Sequence, residues 1–391
     1  MEFQLWWLLA LPLFFMLGWG AARVDIHHAL WEARALPRSY FRGLNFLLSE
    51  QPDKAIEAFL EAAEVDPETA ELHFALGNLF RRRGEMDRAI RVHKYLVNRD
   101  GLSEDQRLTA LCELGHDYLR AGLLDRAEKM FQRLLSTPRQ EEAQYHLIDV
   151  YQQEREWGKA IEIANALPDS ADHKWSCILA QFHCELASEH LLYKRYGAAQ
   201  RQRDTALSIN RRCIRAFILQ SDLALAQGRT QEAFASWQRI AQQKLPFLAL
   251  VAEKMLATYE AEGRSEQGRE LLLGYIEQEP SIDLLRIAYS AQLKAKGAEA
   301  AYQVVRDTLR KSPTLLGLDK LLEAQLQVTP VEKRADFEIM KNLIHQHSSR
   351  VALYPCSQCG FKARQYYWRC PACGGWETYP PRRAEEIDLR P

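Results

Sequence analysis

The sequence predicts an all-α chain of stacked helix pairs, with an apolar helix at one end and a small metal-binding module at the other. Three observations carry this reading. Small residues recur at intervals of 33 to 38 residues through the middle of the chain. Phe3 to Ala22 form a run of twenty residues without a charge. Near the C-terminus stand two C-x-x-C pairs, Cys356 with Cys359 and Cys370 with Cys373. The chain divides accordingly into an anchor (1–22), a juxtamembrane linker (23–37), about eight repeats (38–313), capping helices (314–350), a metal module (351–381) and a tail (382–391).

In each repeat a small residue opens the second helix: Ala55, Ala89, Ala127, Ala160, Ala198, Ala233, Gly268 and Ala301. A larger, usually apolar residue often follows four positions on, as at Phe59, Phe131, Trp237, Leu272 and Val305. Twelve positions before the small residue the first three units carry Gly43, Gly77 and Gly115, each with an aromatic three later at Phe46, Phe80 and Tyr118. Gly84, Gly122, Gly228 and Gly263 mark turns inside the pairs. Small residues let paired helices approach, and the large residue fills the gap to the next pair. One pair cannot bury its apolar face alone, so pairs stack. The pattern resembles the tetratricopeptide repeat, a helix–turn–helix of about 34 residues, and predicts a tetratricopeptide-repeat solenoid. Units four and five are degenerate, with Ile148 and Leu186 in place of the glycine and Glu189 in place of the aromatic.

First helices of such repeats line a concave face. In the second and third units that face holds Asn78, Arg81, Arg82, His116 and Arg120. Guanidinium and amide groups there fit an acidic or C-terminal peptide. A solvated charged face is the competing reading. From Leu315 to His347 regularly spaced apolar residues continue the helical pattern as a capping pair, with His345 and His347 placed at its exit.

As a helix, the run from Phe3 to Ala22 spans roughly 30 Å, the thickness of a bilayer core. Trp6, Trp7 and Trp19 lie towards its ends, where indoles favour the interface. A signal peptide is the rival reading, but it wants a basic n-region, and here that region carries Glu2. Arg23, Arg34 and Arg38 follow the run, so the rest of the chain is expected on the cytoplasmic side of a single-pass protein.

Ten residues separate the two cysteine pairs, enough for a hairpin that brings four thiolates to one tetrahedral ion, zinc or iron. Gly360 and Gly374 follow the second cysteine of each pair, where the chain often needs a positive φ. Disulfides compete with this reading but need an oxidising compartment. So short a module cannot hold together by burial alone, and the ion supplies folding energy on the order of 10 kcal/mol. Its surplus aromatics, Phe361, Tyr366, Tyr367, Trp368 and Trp376, are expected to pack on the last helices of the solenoid. Four protein thiolates leave no open coordination position, which argues against hydrolytic chemistry. The pairs resemble rubredoxin knuckles, although the gap between them is much shorter than in a free-standing rubredoxin, and an electron carrier is the alternative. Cys112, Cys177, Cys184 and Cys213 read as small buried apolar residues rather than a second metal site.

The balance of 51 basic against 52 acidic residues gives no electrostatic case for nucleic acid. The sequence contains no P-loop, dinucleotide fingerprint, H-E-x-x-H or G-x-S-x-G. A binding protein is expected rather than an enzyme.

The order of anchor, repeats and knuckle pair resembles the lipopolysaccharide assembly protein B family of Gram-negative bacteria. The resemblance is carried by Tyr40–Ser49, Leu76–Arg81, Gly84–Arg91 and the segment Tyr367–Cys373. It implies a regulator of lipopolysaccharide biosynthesis in the inner membrane, with repeats and metal module on the cytoplasmic side. It implies promotion of degradation of the lipid A deacetylase by the FtsH-type membrane protease, and coordination of lipopolysaccharide assembly and regulatory membrane proteins. A general scaffold for envelope assembly enzymes, without a protease, is the alternative. Self-association through edge helices is left open, since no motif decides it. Carried over by position, the metal ligands are Cys356, Cys359, Cys370 and Cys373.

Overall fold

The computed structural model describes residues 38–49, 51–65, 70–167 and 173–388, in two compact units divided after Leu167. The anchor expected over Phe3–Ala22 and the linker at 23–37 lie outside the described residues. Among the described residues no helix is long and apolar enough to cross a membrane.

The first unit holds four helix pairs: α1 (Arg38–Leu48) with α2 (Pro52–Val65), α3 (Ala70–Arg83) with α4 (Met86–Val97), α5 (Glu104–Arg120) with α6 (Leu124–Gln132), and α7 (Gln140–Glu154) with α8 (Trp157–Asn165). Ala55, Ala89, Ala127 and Ala160 are each the fourth residue of the second helix and are fully buried. The glycine of the first helix faces the large residue of the second. A Cβ built on Gly115 would sit 2.7 Å from the Phe131 ring. Phe131 is itself fully buried and has nowhere to retreat. Gly115→Ala is therefore expected to cost about 1–3 kcal/mol by overpacking. Thermal unfolding checks this, and an unchanged melting temperature would refute the close approach.

Helix α5 starts cleanly. The Gln106 N–H donates to the Ser103 hydroxyl at 3.2 Å, and the Ser103 N–H donates to the Gln106 side chain at 3.1 Å, a capping box. This fixes the rotation of a helix that uses two faces. Glu113 and Asp117 point to α3, while Cys112 and His116 point to α7.

The second unit continues the pattern with α9 (His173–Leu192) and α10 (Tyr196–Ile209), α11 (Ile214–Ala226) and α12 (Thr230–Lys244), a 3-10 helix (Leu245–Leu250) leading into α13 (Ala252–Ala261) with α14 (Ser265–Gln278), and α15 (Ile282–Lys296) with α16 (Ala298–Lys311). The capping pair is α17 (Leu315–Val328) and α18 (Arg334–Val351). Trp237, Leu248 and Leu272 are buried in one hydrophobic core cluster of this unit. Two departures from the sequence reading appear here. In the degenerate fifth unit the fully buried small residue is Ala199, not Ala198. Helix α10 begins at Tyr196, so Ala199 is its fourth residue, as in every other unit. The Ala198–Ala199 doublet hid this, because either alanine fits a repeat of variable length. Second, α18 runs to Val351, so His345 and His347 lie inside the helix rather than at its exit, with His345 Nδ1 2.9 Å from Asp319.

Gly84, Gly122, Gly228 and Gly263 all adopt positive φ, two residues before the second helix of their pair. In the two degenerate units Arg155 and Lys194 take that place, at φ of 61° and 57°. These side chains accept a strain of about 1–2 kcal/mol that glycine avoids.

Candidate metal centre

After α18 the chain forms a two-stranded antiparallel hairpin, β1 (Tyr354–Pro355) with β2 (Lys362–Ala363), pairing Tyr354 with Ala363. Each C-x-x-C is closed by the same pair of backbone bonds. The Gly360 N–H donates to the Cys356 carbonyl and the Gly374 N–H to the Cys370 carbonyl, both at 2.9 Å. Gly360 and Gly374 sit at φ of 74° and 73°, the conformation their sequence position predicts. An isolated bridge between Arg369 and Trp376 closes the second knuckle.

The four sulfurs lie within 4.8 Å of one another. Cys356 Sγ is 3.8 Å from Cys373 Sγ, and Cys359 Sγ is 3.7 Å from Cys370 Sγ. A disulfide needs about 2.05 Å. Four thiolates at about 2.3 Å from a tetrahedral zinc stand about 3.8 Å apart. The donor set therefore fits one tetrahedral ion, and the four cysteines form a metal-binding site. The surroundings favour thiolates at the inner positions. Burial pushes the Cys356 thiol up, but Thr378 and the backbone N–H groups of Cys359 and Gln358 hold it down at about 6. Cys370 is lowered in the same way, against burial, by the N–H groups of Cys373 and Ala372 and by Tyr379. At Cys373 the Gly375 N–H pulls down, while burial and the other three cysteines push the thiol up to about 12. Crowded sulfurs resist sharing negative charge, and a cation resolves the conflict.

The module docks within the second unit. Trp368 stacks on Phe247 of the 3-10 helix, with ring centroids 5.8 Å apart, and the Arg215 guanidinium of α11 lies 5.6 Å over the same indole. Trp376 meets Phe182 of α9 edge-on at 5.9 Å. The Gln181 amide donates to Glu377 at 2.6 Å. On α15, Asp283 accepts from the Tyr354 hydroxyl at 2.7 Å and from Arg383 Nε and Nη2 at 2.9 and 2.8 Å. The residues read as a tail include a short helix, α19 (Ala384–Asp388). Its Glu386 accepts from the Ile282 N–H at 2.9 Å and its Glu385 from the Leu316 N–H at 3.0 Å. Two carboxylates thus sit at the N-termini of α15 and α17, where the helix dipole favours them. The expected seat on the last helices is corrected in part. Tyr354 and the segment after it do meet α15 and α17. Tyr366, Trp368 and Trp376 instead face α9, α11 and the 3-10 helix, where Phe182, Arg215 and Phe247 supply flat partners, and Phe361 stays exposed.

In the first unit, Asn78, Arg81, Arg82 and Arg120 line one cleft of about 450 Å³ together with Met86. Arg81 is tied into the fold. Its Nη1 is 2.9 Å from Asp117, its Nη2 is 2.5 Å from Glu113, and its side chain is 19% exposed. Asp117, fully buried, also meets His93 Nδ1 at 2.5 Å. Arg82 and Arg120 are exposed. His116 turns away from the cleft, and its Nε2 lies 2.7 Å from His146 Nε2. Sequence reasoning missed this contact. Its signal was the i, i+4 spacing of Cys112 and His116, with His146 placed 34 positions after Cys112, one repeat further on.

Fold and site together define a class, a tetratricopeptide-repeat protein whose C-terminal rubredoxin-type metal module folds back on its repeats. Comparison with known proteins agrees. Residues 354–381 match the rubredoxin metal binding domain, and residues 42–97 and 112–173 match the tetratricopeptide repeat. Lipopolysaccharide assembly protein B of Escherichia coli (strain K12) is 33% identical over 378 residues, covering 96% of this chain and 97% of the relative. The protein of the same name from Haemophilus influenzae is 29% identical over 394 residues, covering 97% and 98%. The chain belongs to the lipopolysaccharide assembly protein B family.

Proposed function

We propose that this chain serves lipopolysaccharide assembly as a non-enzymatic, membrane-tethered adaptor. In this reading the N-terminal run holds it in the inner membrane, with repeats and metal module in the cytoplasm. It brings the lipid A deacetylase to an FtsH-type membrane protease and coordinates assembly enzymes beside it. The observation that carries the reading is the relationship along nearly the whole chain, 33% over 96% of it, to a protein named for lipopolysaccharide assembly. The chemistry is compatible. The closed four-thiolate site suits a structural ion, zinc or iron, and not a hydrolytic one. The cleft with Arg82 and Arg120 at its surface offers cationic donors to an acidic or C-terminal segment of a client. Tethering raises the effective concentration of partners in the same membrane, worth roughly 10²–10⁴ in apparent affinity.

The deciding experiment is the half-life of the lipid A deacetylase after translation is blocked, with this protein present or depleted. A half-life several-fold longer on depletion is expected. An unchanged half-life would reject the protease adaptor and leave the scaffold for assembly enzymes, whose partners crosslinking would then identify.

A further inference from the structure

We propose that Cys112, His116 and His146 form a second metal site, taking a zinc-class divalent ion between two consecutive repeats of the first unit. Cys112 and His116 are one turn apart on α5, and His146 comes from α7. The Cys112 sulfur and one nitrogen from each ring lie within 4.8 Å of one another. One thiolate with two imidazoles is a borderline-soft donor set that suits zinc above calcium or magnesium.

The two Nε2 atoms are 2.7 Å apart, whereas two nitrogens on a tetrahedral zinc stand about 3.3 Å apart. Small ring rotations open that gap. In the contact as it stands, one Nε2 carries the proton and the other accepts it. When an ion enters, both Nε2 atoms ligate it and the displaced proton moves to Nδ1. On His116 that nitrogen faces Glu113 Oε2 at 3.8 Å, so a carboxylate is already placed to orient the ring. The one proton released, to solvent, is that of the Cys112 thiol, because the thiolate is the ligand. Glu142 is one turn before His146, as Cys112 is one turn before His116, so two i, i+4 pairs face each other. The fourth position falls to water or to the Glu142 carboxylate. Such an ion ties α5 to α7 much as the Arg81 ion pairs tie α3 to α5. The competing arrangement is a plain imidazole–imidazole hydrogen bond, with the Phe131 ring stacked 4.9 Å from His146.

The test uses the full chain, equilibrated with micromolar zinc, passed through gel filtration and counted for metal per chain. Two zinc ions are expected in the wild type, and one in both His146→Gln and Cys112→Ser. One zinc in the wild type overturns the proposal whatever the variants do. Two zinc ions retained by either folded variant overturn it as well, because the extra ion then sits elsewhere. Cobalt(II) substitution supplies a readout that does not depend on the variants. A second equivalent with a tetrahedral spectrum distinct from a four-sulfur site supports the proposal, and saturation at one equivalent overturns it.

Discussion

Cys370→Ser is expected to unfold the C-terminal module while the first unit keeps its stability. Cys370 is 1% exposed and its sulfur lies 3.7 Å from Cys359, so no outside group can replace it. The module's own secondary structure is two strands of two residues, a bridge and a short helix. Its folding energy comes from the ion, on the order of 10 kcal/mol in small thiolate sites. Losing one of four ligands removes most of that. The docked aromatics then lose their scaffold, since Trp368 and Trp376, which meet Phe247 and Phe182, flank the second knuckle and its Arg369–Trp376 bridge. Hydrogen exchange reads the outcome directly. The amides of Gly360, Cys370 and Gly374, each bonded within the knuckles, should lose protection, while α3 to α7 should not. Retained protection at Gly360 and Gly374 would mean that docking, and not the ion, holds the module.

The metal knuckles and the repeats are legible because their signals are local. A C-x-x-C pair brings its own local geometry, so the metal ligands are legible from spacing alone. The repeats are legible because one small residue must recur wherever two helices touch, as at Ala55, Ala89 and Ala127. The reading slipped where local signals were duplicated, at Ala198 and Ala199. It failed where partners are distant and follow no period. Arg383 finds Asp283 across 100 residues, and Gln181 finds Glu377 across 196. Nothing about Asp283 in the first turn of α15 distinguishes it from any acidic residue that complements a helix dipole. The groove reading placed four of its five residues on one cleft, but ranked Arg81 with Arg82 and Arg120. Only the positions of Glu113 and Asp117, one repeat later, show that Arg81 is spent on the fold.

Asp283→Ala should undock the module without emptying it. Asp283 is 8% exposed and accepts from a buried tyrosine and from two nitrogens of Arg383. Burial, and then the carboxylate, push the Tyr354 phenol above its ordinary range, so it stays protonated and donates. Without Asp283 the Arg383 guanidinium, 13% exposed in the docked state, keeps the Ala352 carbonyl 2.8 Å away but loses the carboxylate that meets two of its nitrogens. Breaking a buried pair by removing one partner costs about 3–5 kcal/mol, because the remaining charge is left uncompensated. The four cysteines are untouched, so the ion and the hairpin persist. The expected pattern is thus opposite to that of Cys370→Ser. Metal content is unchanged and Gly360 and Gly374 stay protected, but the Ile282 amide, bonded to Glu386 of the docked segment, exchanges faster. The second unit should also unfold at lower denaturant. A double-mutant cycle with Arg383→Ala separates the pair from its surroundings. If the two changes add independently, the ion pair is not what seats the module, and the seat lies with the aromatic contacts at Phe247 and Phe182.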